Sequence, residues 1–253
     1  MSDPSPDTPP SFIECPDGVR IAYRHSPGRA PAVVFLPGYA SDMTGGKATH
    51  LEAWCRARGN AFLRFDYQGH GESTGRFEDG TIGVWAQDAR TVIESVIDGP
   101  LVLVGSSMGG WIMLLVALSL SRRPRGLVGL AAAPDFTEDL VWKELDEEAR
   151  ARLRSEGMLN LASEYDEAPY PITLALIEEA RERLLLRAPI ALHCPVRLLH
   201  GIEDQDVPWA TALRLAERLA STDVRVTLIK GAGHRLSEPP QLDLLAATVA
   251  ELL

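Results

Sequence analysis

The stretch that decides the fold is Leu101-Val102-Leu103-Val104-Gly105-Ser106-Ser107-Met108-Gly109-Gly110-Trp111-Ile112-Met113-Leu114-Leu115-Val116. Leu101 to Val104 form a short continuous apolar run, as a strand covered on both faces must. The apolar segment from Trp111 onward suits a buried helix. Between them Gly105-Ser106-Ser107-Met108-Gly109 matches G-x-S-x-G, the pattern of a sharp strand-to-helix turn that displays a serine hydroxyl. Such a turn leaves no room for a Cβ two places either side of the serine, and Gly105 and Gly109 meet that demand while Gly110 adds space. Ser107 is therefore the candidate nucleophile. Ser106 is its rival, but it holds the variable position of the pattern. A Gly/Ser-rich turn without chemistry is the alternative.

Working outward, further short apolar runs recur with helical segments between them: Val33–Leu36, Ala61–Phe65, Leu127–Ala132, Val196–Leu199 and Val224–Ile229. This alternation predicts a parallel sheet fed by crossover helices. Helices are expected near Ala48–Arg58, Ile82–Ile97, Met108–Arg122, Trp209–Ala220 and Gln241–Leu253. Ahead of them, Phe12–Glu14 and Arg20–Arg24 flank the turn signal Pro16-Asp17-Gly18 and predict an antiparallel hairpin. The expected fold is α/β, a mostly parallel eight-stranded sheet flanked by helices. Residues 134–195 break the alternation, being far longer than a crossover requires. Phe136, Leu140, Val141, Leu145, Ala149 and Leu153 repeat there at helical spacing, Ile172–Leu186 is a second amphipathic segment, and Gly157, Pro169 and Pro171 suit loops. A helical cap inserted after the sixth strand is expected, within one domain spanning 11–253 behind a loose tail, 1–10.

The chain has 253 residues and can bury a sizeable core. Its net charge of −10 disfavours nucleic acid or an anionic membrane as a bulk electrostatic partner. Cys15, Cys55 and Cys194 are odd in number and widely spaced, which argues against a disulfide framework or a zinc site and for thiols in a reducing compartment. Met1–Ser11 has neither a basic and apolar leader pattern nor arginines, and Trp111–Leu120, the longest apolar stretch, falls short of the ~20 residues of a membrane span. A cytoplasmic protein with no membrane span, no metal and no cofactor is expected.

A serine hydroxyl needs an imidazole to take its proton and a carboxylate to orient that imidazole. With this turn, the acid and then the histidine follow the serine in chain order. His200-Gly201-Ile202-Glu203-Asp204-Gln205-Asp206-Val207-Pro208 and Gly231-Ala232-Gly233-His234 both follow predicted strands, at the sheet edge where Ser107 lies. Asp204 and His234 are the candidate acid and base. Glu203 and Asp206 flank Asp204, and Asp135, after the sixth strand, is another position from which a carboxylate could reach the histidine. An oxyanion needs amide donors. The amide of Met108 is one, and Tyr39, in the Pro37-Gly38-Tyr39-Ala40-Ser41-Asp42 loop, is assigned the other; its ring could also line an acyl pocket. Asp66-Tyr67-Gln68-Gly69-His70-Gly71-Glu72-Ser73 reads as a tight structural turn, with His70 outside the mechanism.

Assembled, these residues resemble the serine α/β-hydrolases over nearly the whole chain after the tail. Leu36-Pro37-Gly38-Tyr39, Arg64-Phe65-Asp66-Tyr67, Gly105 to Trp111, Cys194 to Gly201, Val207-Pro208-Trp209 and Ser221-Thr222-Asp223-Val224 are similar to the subfamily of mitochondrial palmitoyl-protein thioesterases that also act as acyl-glucuronide esterases. The resemblance implies the α/β-hydrolase fold, a triad of Ser107, Asp204 and His234, and cleavage of small acyl esters or thioesters, S-acylated proteins included. The missing presequence points to a cytosolic bacterial relative. Trp142, Tyr165 and Tyr170 are expected to wall the acyl site, and Arg181, Arg183 and Arg187 are offered either to a substrate carboxylate or to solvent. A lactonase, a carbon–carbon bond hydrolase and a non-catalytic binding protein would share these motifs.

Overall fold

Apolar runs too short for helices pair here into one twisted eight-stranded sheet, seen in a computed structural model that describes residues 9–15, 18–161 and 169–253. In chain order its strands and helices are β1 (Ser11–Glu14), β2 (Arg20–Ser26), β3 (Arg29–Leu36), α1 (Gly46–Arg58), β4 (Asn60–Phe65), α2 (Ile82–Val96), β5 (Leu101–Ser106), α3 (Met108–Ser119) and β6 (Gly126–Leu130). An insertion follows, holding a π-helix at Thr137–Trp142, α4 (Glu147–Glu156), β7 (Met158–Leu161), β8 (Tyr170–Thr173) and α5 (Leu174–Arg181). The sheet resumes with β9 (Val196–Gly201), α6 (Ala210–Arg218), β10 (Val224–Ile229) and α7 (Pro239–Ala250).

The strand order is β1-β2-β4-β3-β5-β6-β9-β10. The first two pairings are antiparallel and the remainder parallel. The predicted hairpin forms, although Pro16 and Asp17 of its turn lie outside the described residues. Alternate residues of the central strands feed two cores, since successive side chains point to opposite faces. Val34, Leu36 and Leu103 pack with Trp85 and Trp111, whereas Val33, Phe35, Val102 and Val104 pack with Leu51 of α1 and Leu245 of α7. With β4, β5, β6 and β9 buried along their whole length, their inward residues cannot be other than apolar or internally paired. Among the described residues no helix is long and apolar enough to cross a membrane.

The insertion contains the expected helices and, besides them, an antiparallel ribbon of β7 and β8 where loops were expected. Its helices are capped by side chains: Asp146 accepts from the Ala149 amide at 2.8 Å and Thr173 from Leu176 at 3.1 Å. Asp135 fastens the insertion to the sheet. Wholly buried, its carboxylate accepts the amides of Leu185 (2.7 Å) and Leu186 (2.9 Å) and lies 3.3 Å from Arg187. Trp111 Nε1 donates to the Arg183 carbonyl at 3.2 Å, and the Tyr39 hydroxyl donates to the carbonyl of Pro171 in β8. Residues 1–8, most of the expected tail, are outside the described residues.

Candidate active site

Three loops at the C-terminal ends of β5, β9 and β10 bring the site together, the edge where parallel sheets leave room for ligands. Ser107 sits between β5 and α3 with φ 55°, a backbone conformation that side chains rarely adopt and that the surrounding contacts must hold. The contacts are tight. A Cβ on Gly109 would lie 2.2 Å from the Leu36 carbonyl oxygen, and one on Gly105 would lie 2.4 Å from that of Gly109. Ser107 donates its amide to Leu130 at 2.9 Å, which pins the turn to β6.

His234 Nε2 lies 3.0 Å from Ser107 Oγ, and His234 Nδ1 lies 2.9 Å from Asp204 Oδ2. The structure thus brings the predicted serine, histidine and acid into one line. Asp204 is engaged on both oxygens. Its Oδ1 accepts the amides of Asp206 (3.0 Å) and Val207 (2.8 Å), while Oδ2 faces His234 and, at 3.2 Å, His200 Nε2. Burial alone would raise this carboxyl; the hydrogen bonds from His200 and His234, the charge of His234 and the Val207 amide outweigh it and hold Asp204 well below the usual carboxylate range. Of the rival acids, Glu203 and Asp206 are exposed, and Asp135 is spent on the insertion. Asp204, Asp206 and His234 lie within 4.8 Å of one another, but the lone pairs an ion would need on Asp204 and His234 already face N–H and O–H donors.

His200 was not foreseen as part of the site. It lies at the end of a predicted strand, and the four-residue step to Asp204 crosses a strand–loop junction where no helical period applies. Fully buried, it has no partner for Nδ1, while Nε2 is 2.8 Å from the Val207 carbonyl. The proton therefore sits on Nε2, shared between Val207 and Asp204.

Ser107 opens into a cavity of about 770 Å³. Tyr39 and Met108 line it beside the serine, and because Met108 begins α3 its amide has no acceptor within the helix. One wall is apolar: Phe136, Leu140, Val141, Leu161, Tyr170 and Ile172 of the insertion. Of the three aromatic residues expected at an acyl site, Tyr170 lines this cavity, and Tyr165 lies outside the described residues. Trp142 does not line the cavity. It ends the π-helix facing α4 and α5, and Arg150, Arg154 and Arg181 stack on its ring at 5.4, 5.2 and 4.6 Å. The arginines offered to a substrate are taken by acids instead: Arg181 by Glu138 at 2.7 Å, Arg183 by Glu179 at 2.8 Å, Arg187 by Asp139 and Asp135. His70 is buried among Tyr67, Phe77 and Trp85, 3.2 Å from the Gln68 carbonyl, which fits its structural assignment. Among the described residues Cys15, Cys55 and Cys194 form no disulfide, and burial pushes Cys55 up to about 12.

The model of the alpha/beta hydrolase family matches residues 33–250. Palmitoyl-protein thioesterase ABHD10, mitochondrial, from Homo sapiens is 40% identical over 244 residues, which cover 96% of this chain and 79% of that protein. Alpha/beta hydrolase domain-containing protein 10 from mouse superposes with a TM-score of 0.90 at 38% identity, covering 96% of this chain and 97% of the other. A putative hydrolase from Agrobacterium vitis S4 gives 0.92 at 38% identity, covering 96% and 98%. The names of the mammalian relatives overturn one expectation: they are mitochondrial, so the cytoplasmic location inferred from the composition of the N-terminal run and from the cysteines does not stand. The chain belongs to the alpha/beta hydrolase family and is a hydrolytic enzyme.

Proposed function

We propose that the protein is a serine thioesterase and esterase that works through an acyl-enzyme on Ser107, with long-chain acyl thioesters, including S-acylated proteins, and acyl glucuronides as its substrate class. The observation that carries this reading is the unbroken line Asp204–His234–Ser107, with separations of 2.9 and 3.0 Å. His234 Nε2 takes the hydroxyl proton as Ser107 Oγ attacks the acyl carbonyl, and Asp204 stabilises the imidazolium. The amides of Tyr39 and Met108 receive the oxyanion, a contribution worth about 10²–10³ in rate for each donor. His234 then returns the proton to the departing thiol or alcohol. Water repeats the cycle on the acyl-enzyme, releasing the acid and regenerating Ser107. No cofactor enters any step. The apolar wall from Phe136 to Ile172 suits an acyl chain, and the relatives named palmitoyl-protein thioesterase support the thioester assignment.

The test is turnover of acyl thioesters and p-nitrophenyl esters of graded chain length by the native protein and by Ser107→Ala. Loss of a triad serine lowers kcat by about 10⁶. Turnover by Ser107→Ala equal to that of the native protein would remove the assignment. A native protein that hydrolyses lactones or cleaves carbon–carbon bonds in preference to every thioester would redirect it, and failure of Ser107 to label with a fluorophosphonate would leave a binding protein.

A further inference from the structure

We infer that the leaving-group end of the cavity is an anion subsite centred on Lys47, which selects substrates whose departing group carries a carboxylate or a phosphate. This rests on the acyl-enzyme reading above, because that chemistry decides which end is which. The departing atom receives its proton from His234 Nε2, so the leaving group stands over His234. Next in the chain is Arg235, and the Lys47 ammonium donates to the Arg235 carbonyl. Both residues line the cavity that holds Ser107.

The lining is polarised accordingly. The lining that the insertion supplies is apolar, whereas Asp42, Lys47, Asp206, Arg235 and Ser237, all outside the insertion, supply charged and polar groups. Lys47 is half-buried, and among the described residues it has no carboxylate within ion-pair distance; its recorded partner is a neutral carbonyl. Burial and the neighbouring Arg235 charge lower its pKa to about 8. A cation partly removed from water without an ion-pair partner bears part of the desolvation cost of a charge. Asp42 and Asp206 also line the cavity, but among the described residues neither forms an ion pair with Lys47, and Asp42 Oδ1 accepts the amide and hydroxyl of Thr44. The arginines of the insertion named above each hold an acid. In a chain of net charge −10, a half-buried ammonium that is held by the residue next to His234 and forms no ion pair among the described residues is an arrangement that an anionic ligand completes.

The experiment measures kcat/KM for two matched pairs. One pair is the butyrate ester of 4-hydroxybenzoate against that of its methyl ester; the other is butyryl-coenzyme A against butyryl N-acetylcysteamine. The expected result is a preference for the charged member in at least one pair, a preference that falls about tenfold or more in Lys47→Met and persists in Lys47→Arg. The pair that responds tells a carboxylate site from a phosphate site. If the native protein turns over the neutral members and shows no charged preference, or if Lys47→Met lowers both members of each pair equally, the subsite is overturned while the acyl-enzyme reading stands. In the second case Lys47 only ties α1 to the His234 loop. Absence of turnover on all four compounds removes both.

Discussion

Replacing His200 by leucine tests whether the buried second histidine at Asp204 sets the activity of the site. The substitution keeps a side chain of similar bulk in β9 and deletes the one N–H that serves the Val207 carbonyl at 2.8 Å and Asp204 Oδ2 at 3.2 Å. A buried carbonyl left without its donor costs about 1–3 kcal/mol. Taking about 2 kcal/mol, a chain of this size should lose roughly 4–8 °C in Tm. The bond to Asp204 is charge-assisted, which makes such bonds worth about 1.5–3 kcal/mol, but it is long and shared, so the lower figure applies. About 1.5 kcal/mol of lost orientation corresponds to roughly a tenfold fall in kcat. KM should change little, because His200 does not line the cavity. His200→Gln, whose amide can present an N–H near the same place, should recover part of both losses. Calorimetry and steady-state hydrolysis of a short-chain p-nitrophenyl ester read the two quantities. A leucine variant with native Tm and native kcat would refute the reasoning, and a variant that loses stability but keeps kcat would confine His200 to holding the β9 loop.

Gly109→Ala would place a Cβ 2.2 and 2.3 Å from the carbonyl oxygens of Leu36 and Pro37, both backbone, so the turn must shift. The expected outcome is loss of fluorophosphonate labelling at Ser107 together with a lowered Tm; native labelling would show that the turn has slack. Asp66 accepts the amides of Met43 (2.6 Å) and Glu72 (2.8 Å), yet burial outweighs them and raises its carboxyl to about 6. The folded protein therefore keeps this proton over a range where the unfolded chain, with a carboxyl near 4, has lost it. Its contribution is fully present below pH ~4, is lost as pH rises through about 6 and does not change above that, a total on the order of 3 kcal/mol. Urea titrations of the native protein and of Asp66→Asn between pH 4 and 7 should show that the slope difference lies in this window; parallel curves would contradict it.

The parts of the molecule that could be read ahead of the structure are those governed by local rules. Leu101–Val104 is apolar because neighbours cover both faces, and Gly105 and Gly109 are required by backbone within 3 Å, so the strand, the turn and the position of Ser107 are all written locally. Element ends were less legible. β3 starts at Arg29, four residues before its apolar run: Arg29 and Ala30 are exposed and carry no apolar signal, and Pro31 reads as a breaker. α7 starts at Pro239 rather than Gln241. Prolines that look like breakers are favoured in a first turn, and here Glu238 and Gln241 form a capping box around them. The β7–β8 ribbon was hidden by Pro171, which reads as a loop residue but is tolerated in a ribbon whose outer edge is unpaired. In the site itself, the triad could be found from chain order, whereas the environments of His200, Lys47 and Trp142 depend on which distant elements close over them. No spacing in the sequence encodes that.

Tyr39 joins two parts of the molecule that a reader of the sequence would treat separately. Its backbone belongs to the loop assigned to oxyanion binding, and its hydroxyl is fastened to Pro171 in the ribbon, with the ring wedged against Phe77, Trp85, Phe136 and Tyr170. Displacing β8 would break that clasp or pull the loop along with it. The ribbon and the backbone beside Ser107 thus form one mechanical unit, in which a load placed on Pro171 is felt at Tyr39.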